Sequence, residues 1–189
     1  MKHLTLLAAS AALLAGCNPA GSAAPVNQQV TPVYSKETGR LEELTSDRNG
    51  DGKVDTRAFM DGVRVKRVEI DRNRDGRADR WEYYGPNTSA GTPQIERAEE
   101  SDGPNGRIGR REYYDAGRIA RVEEDTDGDD RVDKWEYYTL GLLSRVELDF
   151  AGHGKPTQRL IYGPGGNVQR VESDPEGDGT FAPVKPQVQ

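Results

Sequence analysis

Over most of the chain, short stretches rich in Val, Ile, Tyr and Trp alternate with stretches of Asp, Asn and Gly. Residues 63–70, 117–124 and 131–138 are clear examples of the first kind, each about eight residues long. β-Branched and aromatic residues in stretches of this length favour strands over helices. Glycine turns such as Asp61-Gly62 join one stretch to the next, which is typical of hairpins. The pattern therefore predicts a run of antiparallel β-hairpins.

The hairpins belong to an internal repeat. The segments RVEIDRNRDGRADRWEYY, beginning at Arg67, and RVEEDTDGDDRVDKWEYY, beginning at Arg121, agree in acidic, basic and aromatic character at most positions. Weaker copies bring the number of units to six, spaced by 24, 30, 24, 24 and 25 residues, with first loop residues Asp47, Asp71, Ser101, Asp125, Asp149 and Asp174. The longest interval contains an insertion, residues 85–94. We predict an all-β fold in which six units of about 24 residues, within residues 34–181, form an extended or solenoid-like sheet capped by degenerate terminal units.

The N-terminal residues predict export. Lys2 and His3 precede an apolar run over residues 4–15, which ends in small residues just before Cys17. This is the pattern of a secretory signal over residues 1–16, and the run is too short to span a membrane as a helix. Residues 17–33 are small, polar and uncharged, as expected for a flexible linker, and residues 182–189 have the character of a loose tail.

The residues Leu14-Ala15-Gly16-Cys17 resemble the lipobox of bacterial lipoproteins. The resemblance implies cleavage before Cys17 and a diacylglyceryl group on its sulfur, which would make the membrane a partner through a lipid anchor. The presence of Asn18 directly after the cysteine is similar to the pattern in lipoproteins that are sent to the outer membrane. An ordinary secretory signal is the alternative, but Cys17 is the only cysteine and therefore has no intramolecular disulfide partner.

Composition and charge narrow the choice of function. The formal net charge is −6, and it becomes −7 when Lys2 leaves with the signal. An acidic chain with interspersed arginine is a poor candidate for nucleic-acid binding and a reasonable one for binding cations. The signal also contributes many of the apolar residues, so the remaining chain is poorer in them than the overall 33% and a thick hydrophobic core is not expected.

Three loops share one spacing of oxygen-bearing side chains. Oxygens at positions 1, 3, 5, 9 and 12, with a carbonyl at position 7 and a sharp turn at position 6, form the EF-hand calcium pattern. The matching residues are Asp71, Asn73, Asp75, Arg77, Asp79 and Glu82; Asp125, Asp127, Asp129, Arg131, Asp133 and Glu136; and, without position 12, Asp47, Asn49, Asp51, Lys53 and Asp55. Calcium takes six to eight oxygen ligands, so the pattern predicts calcium as the cofactor. The alternative is a set of tight turns with self-bonded Asp and Asn side chains and no metal.

Two further resemblances concern the architecture. The flanks of the loops are predicted strands, so the loops resemble those joining strands in integrin-type β-propeller repeats more than a helical EF-hand. That resemblance implies that Glu82 and Glu136 are strand residues and not ligands. Tyr114-Asp115-Ala116-Gly117-Arg118 resembles the YD and MORN-type hairpin repeats of bacterial surface proteins, which implies only the hairpin architecture.

Aromatic residues recur at one point of the better units, and they are Trp81, Tyr83, Tyr84, Tyr113, Tyr114, Trp135, Tyr137 and Tyr138. We interpret these rings as core packing between units; the alternative is a recognition face for glycan or peptide. Enzyme chemistry is not indicated, because His153 lies in a Gly-His-Gly turn and no nucleophile or zinc motif occurs. A cell-wall hydrolase with a carboxylate pair is the third alternative. The sequence thus predicts a calcium-binding, lipid-anchored envelope or surface protein, with an envelope protein or glycan as candidate partner.

Overall fold

The computed structural model describes residues 29–88, 91–101, 103 and 105–185. This part of the chain contains thirteen strands and no helix, and so none that could cross a membrane. The strands are β1 Gln29–Tyr34, β2 Leu41–Asp47, β3 Thr56–Asp61, β4 Arg64–Ile70, β5 Arg80–Tyr84, β6 Ile95–Ser101, β7 Ile108–Asp115, β8 Arg118–Glu124, β9 Lys134–Thr139, β10 Leu142–Leu148, β11 Gln158–Tyr162, β12 Val168–Ser173 and β13 Ala182–Pro183. They form one open antiparallel sheet whose strand order follows the chain, which confirms the predicted all-β repeat of hairpins.

The backbone of each strand lies next to only the strands that precede and follow it among the described residues. The connections therefore alternate between two opposite edges of the sheet, each formed by the ends of the strands. One edge, which we call the loop edge, carries the Asp-rich loops of the six units, at residues 47–55, 71–79, 101–109, 125–133, 149–157 and 174–182. The opposite turn edge carries short turns, apart from the longer connection between Tyr84 and Ile95 that contains the insertion. At two of these turns, Ala116-Gly117 and Leu140-Gly141, both residues have positive φ, as the favoured two-residue hairpin turn requires.

One face of the sheet, face A, alternates aromatic and arginine side chains along a single register row. Phe59 pairs with Arg67, which pairs with Tyr83, and the row continues in the same way through β10; its later members are Arg97, Tyr113, Arg121, Tyr137 and Arg145. The arginines of successive units are thus in register, with one ring between each arginine and the next. The neighbouring row on face A contains Trp81 and Trp135.

The opposite face, face B, combines small aliphatic residues with charged ones. Ala98 and Val122 are fully buried and Val146 nearly so. In register they alternate with glutamates, in the order Glu82, Ala98, Glu112, Val122, Glu136 and Val146. The next row alternates in charge, in the order Arg80, Glu100, Arg110, Glu124 and Lys134. Ion pairs and hydrogen bonds therefore occupy much of what would be a hydrophobic surface in a two-layered protein.

The structure corrects the interpretation of the aromatic rings as core packing between units. Successive strand residues point to opposite faces, so Tyr83 lies on face A while Tyr84 lies on face B. Both tyrosines and both tryptophans are half-buried. Within the part of the chain that the structure describes, the fully buried apolar residues are Ala98 and Val122. In a single sheet without a second layer, a large ring keeps an exposed side, whereas a small residue is covered by its longer neighbours.

The sheet reaches beyond the predicted repeat domain at both ends. Strand β1 begins at Gln29, inside the segment whose composition predicts a linker, and β13 is Ala182–Pro183, inside the predicted tail. Both are edge strands. Val30 and Val33 in β1 remain 54% and 43% exposed, so buried and exposed residues do not alternate along these strands. Pro32 suits an edge position because it has no N–H to donate to the sheet. The predicted signal and Cys17 lie outside the described residues.

Candidate metal centre

The Asp-rich loops share one arrangement around the carboxylate at position 1. In the first loop, Gly50 N–H donates to Asp47 Oδ1 at 2.6 Å and Gly52 N–H donates to Oδ2 at 2.7 Å. The position 4 and position 6 N–H groups bind the first aspartate in the same way in three other loops, with acceptors Asp71, Asp125 and Asp174. Asp149 accepts at 2.6 Å from Gly154, its position 6. Each first aspartate is thus fixed with its carboxylate turned into its own loop.

The intermediate acids and amides follow a second regular scheme. Asn73 Oδ1 accepts from Asp75 N–H at 2.9 Å, and Asp75 Oδ1 accepts from Arg77 N–H at 2.9 Å. The corresponding acceptors in the first and fourth loops are Asn49, Asp51, Asp127 and Asp129, with Lys53 and Arg131 as the position 7 donors. These side chains occupy alternate positions of the loop, and in each of them one oxygen accepts from a backbone N–H two residues later. This is the arrangement of successive Asx turns.

The carboxylate at position 9 closes the loop. Asp79 Oδ2 accepts from Arg72 N–H at 2.9 Å and from Asn73 N–H at 3.0 Å. Asp133 Oδ2 accepts from Thr126 N–H at 2.9 Å, and Asp55 accepts from Arg48 N–H at 2.8 Å. Position 9 therefore faces the first residues of its own loop and immediately precedes the next strand.

Position 6 requires an unusual backbone conformation. It has positive φ at Gly52 and Gly76, and in the fourth loop Asp130 adopts a φ of 70° where the EF-hand pattern has glycine. Position 4 is also left-handed, including Arg74 at 64°. Apart from Asn and Asp, L-residues rarely adopt this conformation, because their Cβ approaches the following carbonyl oxygen, whereas glycine has no Cβ. The fourth loop thus keeps the shape of the others despite its missing glycine.

In the fourth loop the carboxylates converge. One oxygen each from Asp125, Asp127 and Asp133 lie within 4.8 Å of one another, close enough to ligate one metal ion. The set offers only carboxylate oxygens, which suits a hard divalent cation such as calcium. Asp129 lies outside this cluster and caps Arg131 N–H at 2.8 Å. The structure therefore supports a candidate metal site built from positions 1, 3 and 9.

Asp125 is held in its charged form. Burial acts to raise the pKa of this carboxyl, but the N–H groups of Gly128 and Asp130 and the charge of Arg107 outweigh burial, and the pKa lies below its usual value. The Arg107 guanidinium contacts Asp125 Oδ2 and lies 3.6 Å from Asp130. Arg107 occupies position 7 of the preceding unit. This contact between loops was not predicted from the sequence, although a basic residue at position 7 recurs in neighbouring units.

The two glutamates at position 12 are placed on face B rather than in the loops. Glu82 in β5 accepts from Arg80 Nε at 2.8 Å and from Tyr84 Oη at 2.8 Å. Glu136 in β9 lies 2.8 Å from Lys134 Nζ and accepts from Tyr138 at 2.7 Å. The structure therefore does not bring them to the loop carboxylates. Position 12 is the third residue of the strand, and in the first unit Ala58 occupies the same register row.

Comparison with known proteins adds little to this geometry. No protein-family model matches the chain, and no curated protein matches it. Among solved structures, a chain in the crystal structure of accessory secretory proteins 1, 2 and 3 from Streptococcus pneumoniae aligns with 64% of this chain and 19% of its own length, at 16% identity and a TM-score of 0.32. The chain thus spans about a fifth of that protein, and a TM-score of this size does not indicate a shared fold.

Proposed function

We propose that the protein is a calcium-binding protein, exported and anchored by lipid on Cys17 to the cell envelope, with a structural or binding role there. The observation that carries the proposal is the convergence of Asp125, Asp127 and Asp133 in a loop whose hydrogen-bond scheme recurs along the loop edge. Tight turns account for the backbone hydrogen bonds, but they do not require three carboxylates to come together.

Calcium would contribute to stability as well as to binding. The described residues contain only three buried apolar side chains, so each hairpin depends on its loop more than in a protein with a thick core. An ion that binds the folded form alone adds about 2.7 kcal/mol at a hundredfold excess over its dissociation constant. Extracellular calcium modules have dissociation constants of about 10⁻⁴–10⁻³ M, which suits a protein outside the cytoplasm.

Thermal unfolding in calcium and in chelator tests the proposal. We expect calcium to raise the melting temperature, and Asp127→Asn to reduce that rise. Asparagine keeps the oxygen that accepts from Asp129 N–H but removes the charge. Asp115→Asn is the matched control, because Asp115 is an exposed acid at the turn edge. If calcium leaves the wild-type melting temperature unchanged, the loops are turns and the proposal fails.

A further inference from the structure

The basic side chain at position 7 of a loop reaches the next loop along the edge. The Arg107 guanidinium lies against position 4 of the fourth loop, where an added Cβ at Gly128 would meet its Nη2 at 3.1 Å. Arg131 donates from Nη1 to the carbonyl oxygen of Gly152, which is position 4 of the fifth loop, at 3.2 Å. Consecutive loops are therefore in contact through a basic side chain that one loop contributes to the next.

At the fourth loop, this side chain meets carboxylates and not only backbone. The Arg107 guanidinium contacts Oδ2 of Asp125 and lies 3.6 Å from Oδ1 of Asp130. Asp125 is position 1 of the candidate metal centre, and its side chain is 5% exposed. One oxygen of this carboxylate lies within 4.8 Å of oxygens of Asp127 and Asp133. A cation of the protein thus already balances part of the charge of the cluster at which calcium would bind.

The second loop has a different arrangement. The Asp71 carboxylate accepts from the N–H groups of Arg74, Asp75 and Gly76, all in its own loop. Lys53, which is position 7 of the first loop, lines with Asp71 a cavity of about 300 Å³ between the two loops. In this described region, no ion pair joins Lys53 to Asp71. The contact between a neighbouring cation and the first aspartate therefore distinguishes the fourth loop from the second.

On the premise of the proposed function, we propose that Arg107 sets the calcium affinity of the fourth loop, because its guanidinium and the ion compete for the same carboxylates. Two cations at one cluster repel each other, and a guanidinium stays charged, so each weakens the binding of the other. The effect is reciprocal: calcium weakens the contact of Arg107 with Asp125 by the factor by which that contact weakens calcium binding. The third unit, with Ser101 and Gly103 at positions 1 and 3, thus regulates the site of its neighbour.

Calcium titrations of the ¹⁵N-labelled protein test the proposal at the site itself. The N–H resonances of Gly128 and Asp130 report binding to the fourth loop, and that of Gly76 reports on the second loop. We expect Arg107→Met to lower the dissociation constant measured at Gly128 and Asp130 by about fivefold or more, which is the lower end of typical coupling between two ligands. The response of Gly76 should be the same in the two proteins.

Two further variants separate the charge from its position. Arg107→Lys keeps the charge, so its dissociation constant for calcium should stay closer to the wild-type value than that of Arg107→Met. Arg118→Met removes the same charge from an exposed residue at the turn edge, so it should leave the dissociation constant unchanged.

Thermal unfolding gives a second readout, which a purely structural role would not change. In chelator, Arg107→Met should lower the melting temperature, because it leaves the buried Asp125 carboxylate without its charged partner. Saturating calcium supplies a partner in its place, so the loss should be smaller in calcium than in chelator. A side chain that only supports the fold would cause equal losses in both conditions.

The outcomes separate this proposal from calcium binding itself. An unchanged or higher dissociation constant in Arg107→Met, or equal losses of melting temperature with and without calcium, would overturn the role of Arg107 and leave calcium binding intact. A calcium response of Gly128 in the variant but not in the wild type would support the role of Arg107 and reject calcium binding by the native loop. If neither protein responds to calcium, both proposals are rejected.

Discussion

Nη2 of Arg80 on β5 lies 3.1 Å from Oε2 of Glu112 on β7, so this ion pair crosses the intervening strand β6. The side chain of Ala98 stands in register between Glu82 and Glu112 and is fully buried. Its small size leaves the room that the pair needs. Arg80 also donates to Glu82 at 2.8 Å and contacts Glu100. One buried guanidinium thus joins three strands.

Removing this guanidinium should be costly. We expect Arg80→Met to lower the free energy of unfolding by about 3–5 kcal/mol, because it leaves buried carboxylates without their cation. Arg57→Met is the matched control: Arg57 pairs with Glu43 at 2.8 Å but its side chain is 49% exposed, so a loss below about 1 kcal/mol is expected. Urea denaturation measures both. Equal losses of unfolding free energy in the two variants would show that the ion pair across β6 contributes no more than an exposed one.

Acid should destabilise the sheet through the glutamates of face B. Burial acts to raise the pKa of Glu112, but the Tyr114 hydrogen bond and the charges of Arg80 and Arg110 outweigh it, and the pKa lies below its ordinary value of 4.5. The pKa of Glu136 is lowered in the same way, with Lys134 and Tyr138 opposing burial. A lowered pKa in the folded state stabilises it above the ordinary value and loses that effect as pH falls.

We therefore expect the melting temperature to fall as the pH drops below about 4.5, while it changes little between about pH 5 and 8. In Glu112→Gln the decline should be shallower, because one of the titrating groups is missing. Melting curves at a series of pH values measure the effect. A variant that declines as steeply as the wild type would show that Glu112 does not contribute to the acid sensitivity.

The backbone at position 6 predicts a stabilising substitution. Asp130 has a φ of 70°, and glycine adopts that conformation without cost, so Asp130→Gly should raise the free energy of unfolding by up to about 1 kcal/mol. The reverse change at the equivalent place, Gly76→Ala, should lower it by about 1 kcal/mol. An added Cβ at Gly76 meets nothing within 4 Å, so this change reports the backbone effect. Asp130→Gly also removes the 3.6 Å contact with Arg107, which contributes little because the Asp130 side chain is exposed. Opposite signs in chelator support the interpretation; effects of the same sign reject it.

Aliphatic side chains on face B should matter more than their number suggests. Val122 is fully buried, and Val122→Ala should cost about 2 kcal/mol from lost burial and the remaining cavity. Val168 is 43% exposed, so Val168→Ala should cost less than about 0.5 kcal/mol. Equilibrium denaturation compares the two. Similar losses would mean that the single-layered sheet gains little from burying Val122.

Lipid attachment is predicted at Cys17. Cells given a palmitate analogue should label the wild-type protein and leave Cys17→Ser unlabelled, since cysteine sulfur is the acceptor that the lipobox resemblance implies. Asn18→Ser, next to the acceptor, is a matched control that keeps the cysteine and should still be labelled. If Cys17→Ser is labelled as strongly as the wild type, the anchor does not depend on this residue.

Much of the architecture follows from the sequence because it depends on local signals. Turn glycines, eight-residue stretches and the spacing of Asp71 and Asp125 determine where strands begin and end, and each strand pairs with its nearest neighbour along the chain. The row of alternating rings and arginines on face A could not be predicted from the sequence. The positions of Arg67 and Tyr83 are visible in the sequence, but their alignment depends on a register that only strand pairing fixes.

At the loops, the spacing of oxygen ligands predicted Asp125, Asp127 and Asp133 as neighbours, and these carboxylates do converge. Position 12 is a different case, because Glu82 and Glu136 lie in strands. They pair on the sheet face with Arg80 and Lys134, respectively. Pattern matching cannot distinguish a ligand from a strand residue at the boundary of a loop. The contact of Arg107 with Asp125 joins adjacent units, which a motif confined to one loop does not include.

Backbone pairing confined to consecutive strands also has a kinetic consequence. The pairing partners of every strand are close along the chain, so forming the sheet requires no long loop closure, and chains of this kind fold quickly for all-β proteins. Folding can begin at any hairpin and spread in both directions. Because the sheet is open, one strand at each end keeps an unpaired edge even after the last hairpin has docked. The short β13 and the proline in β1 limit how readily those ends recruit another chain.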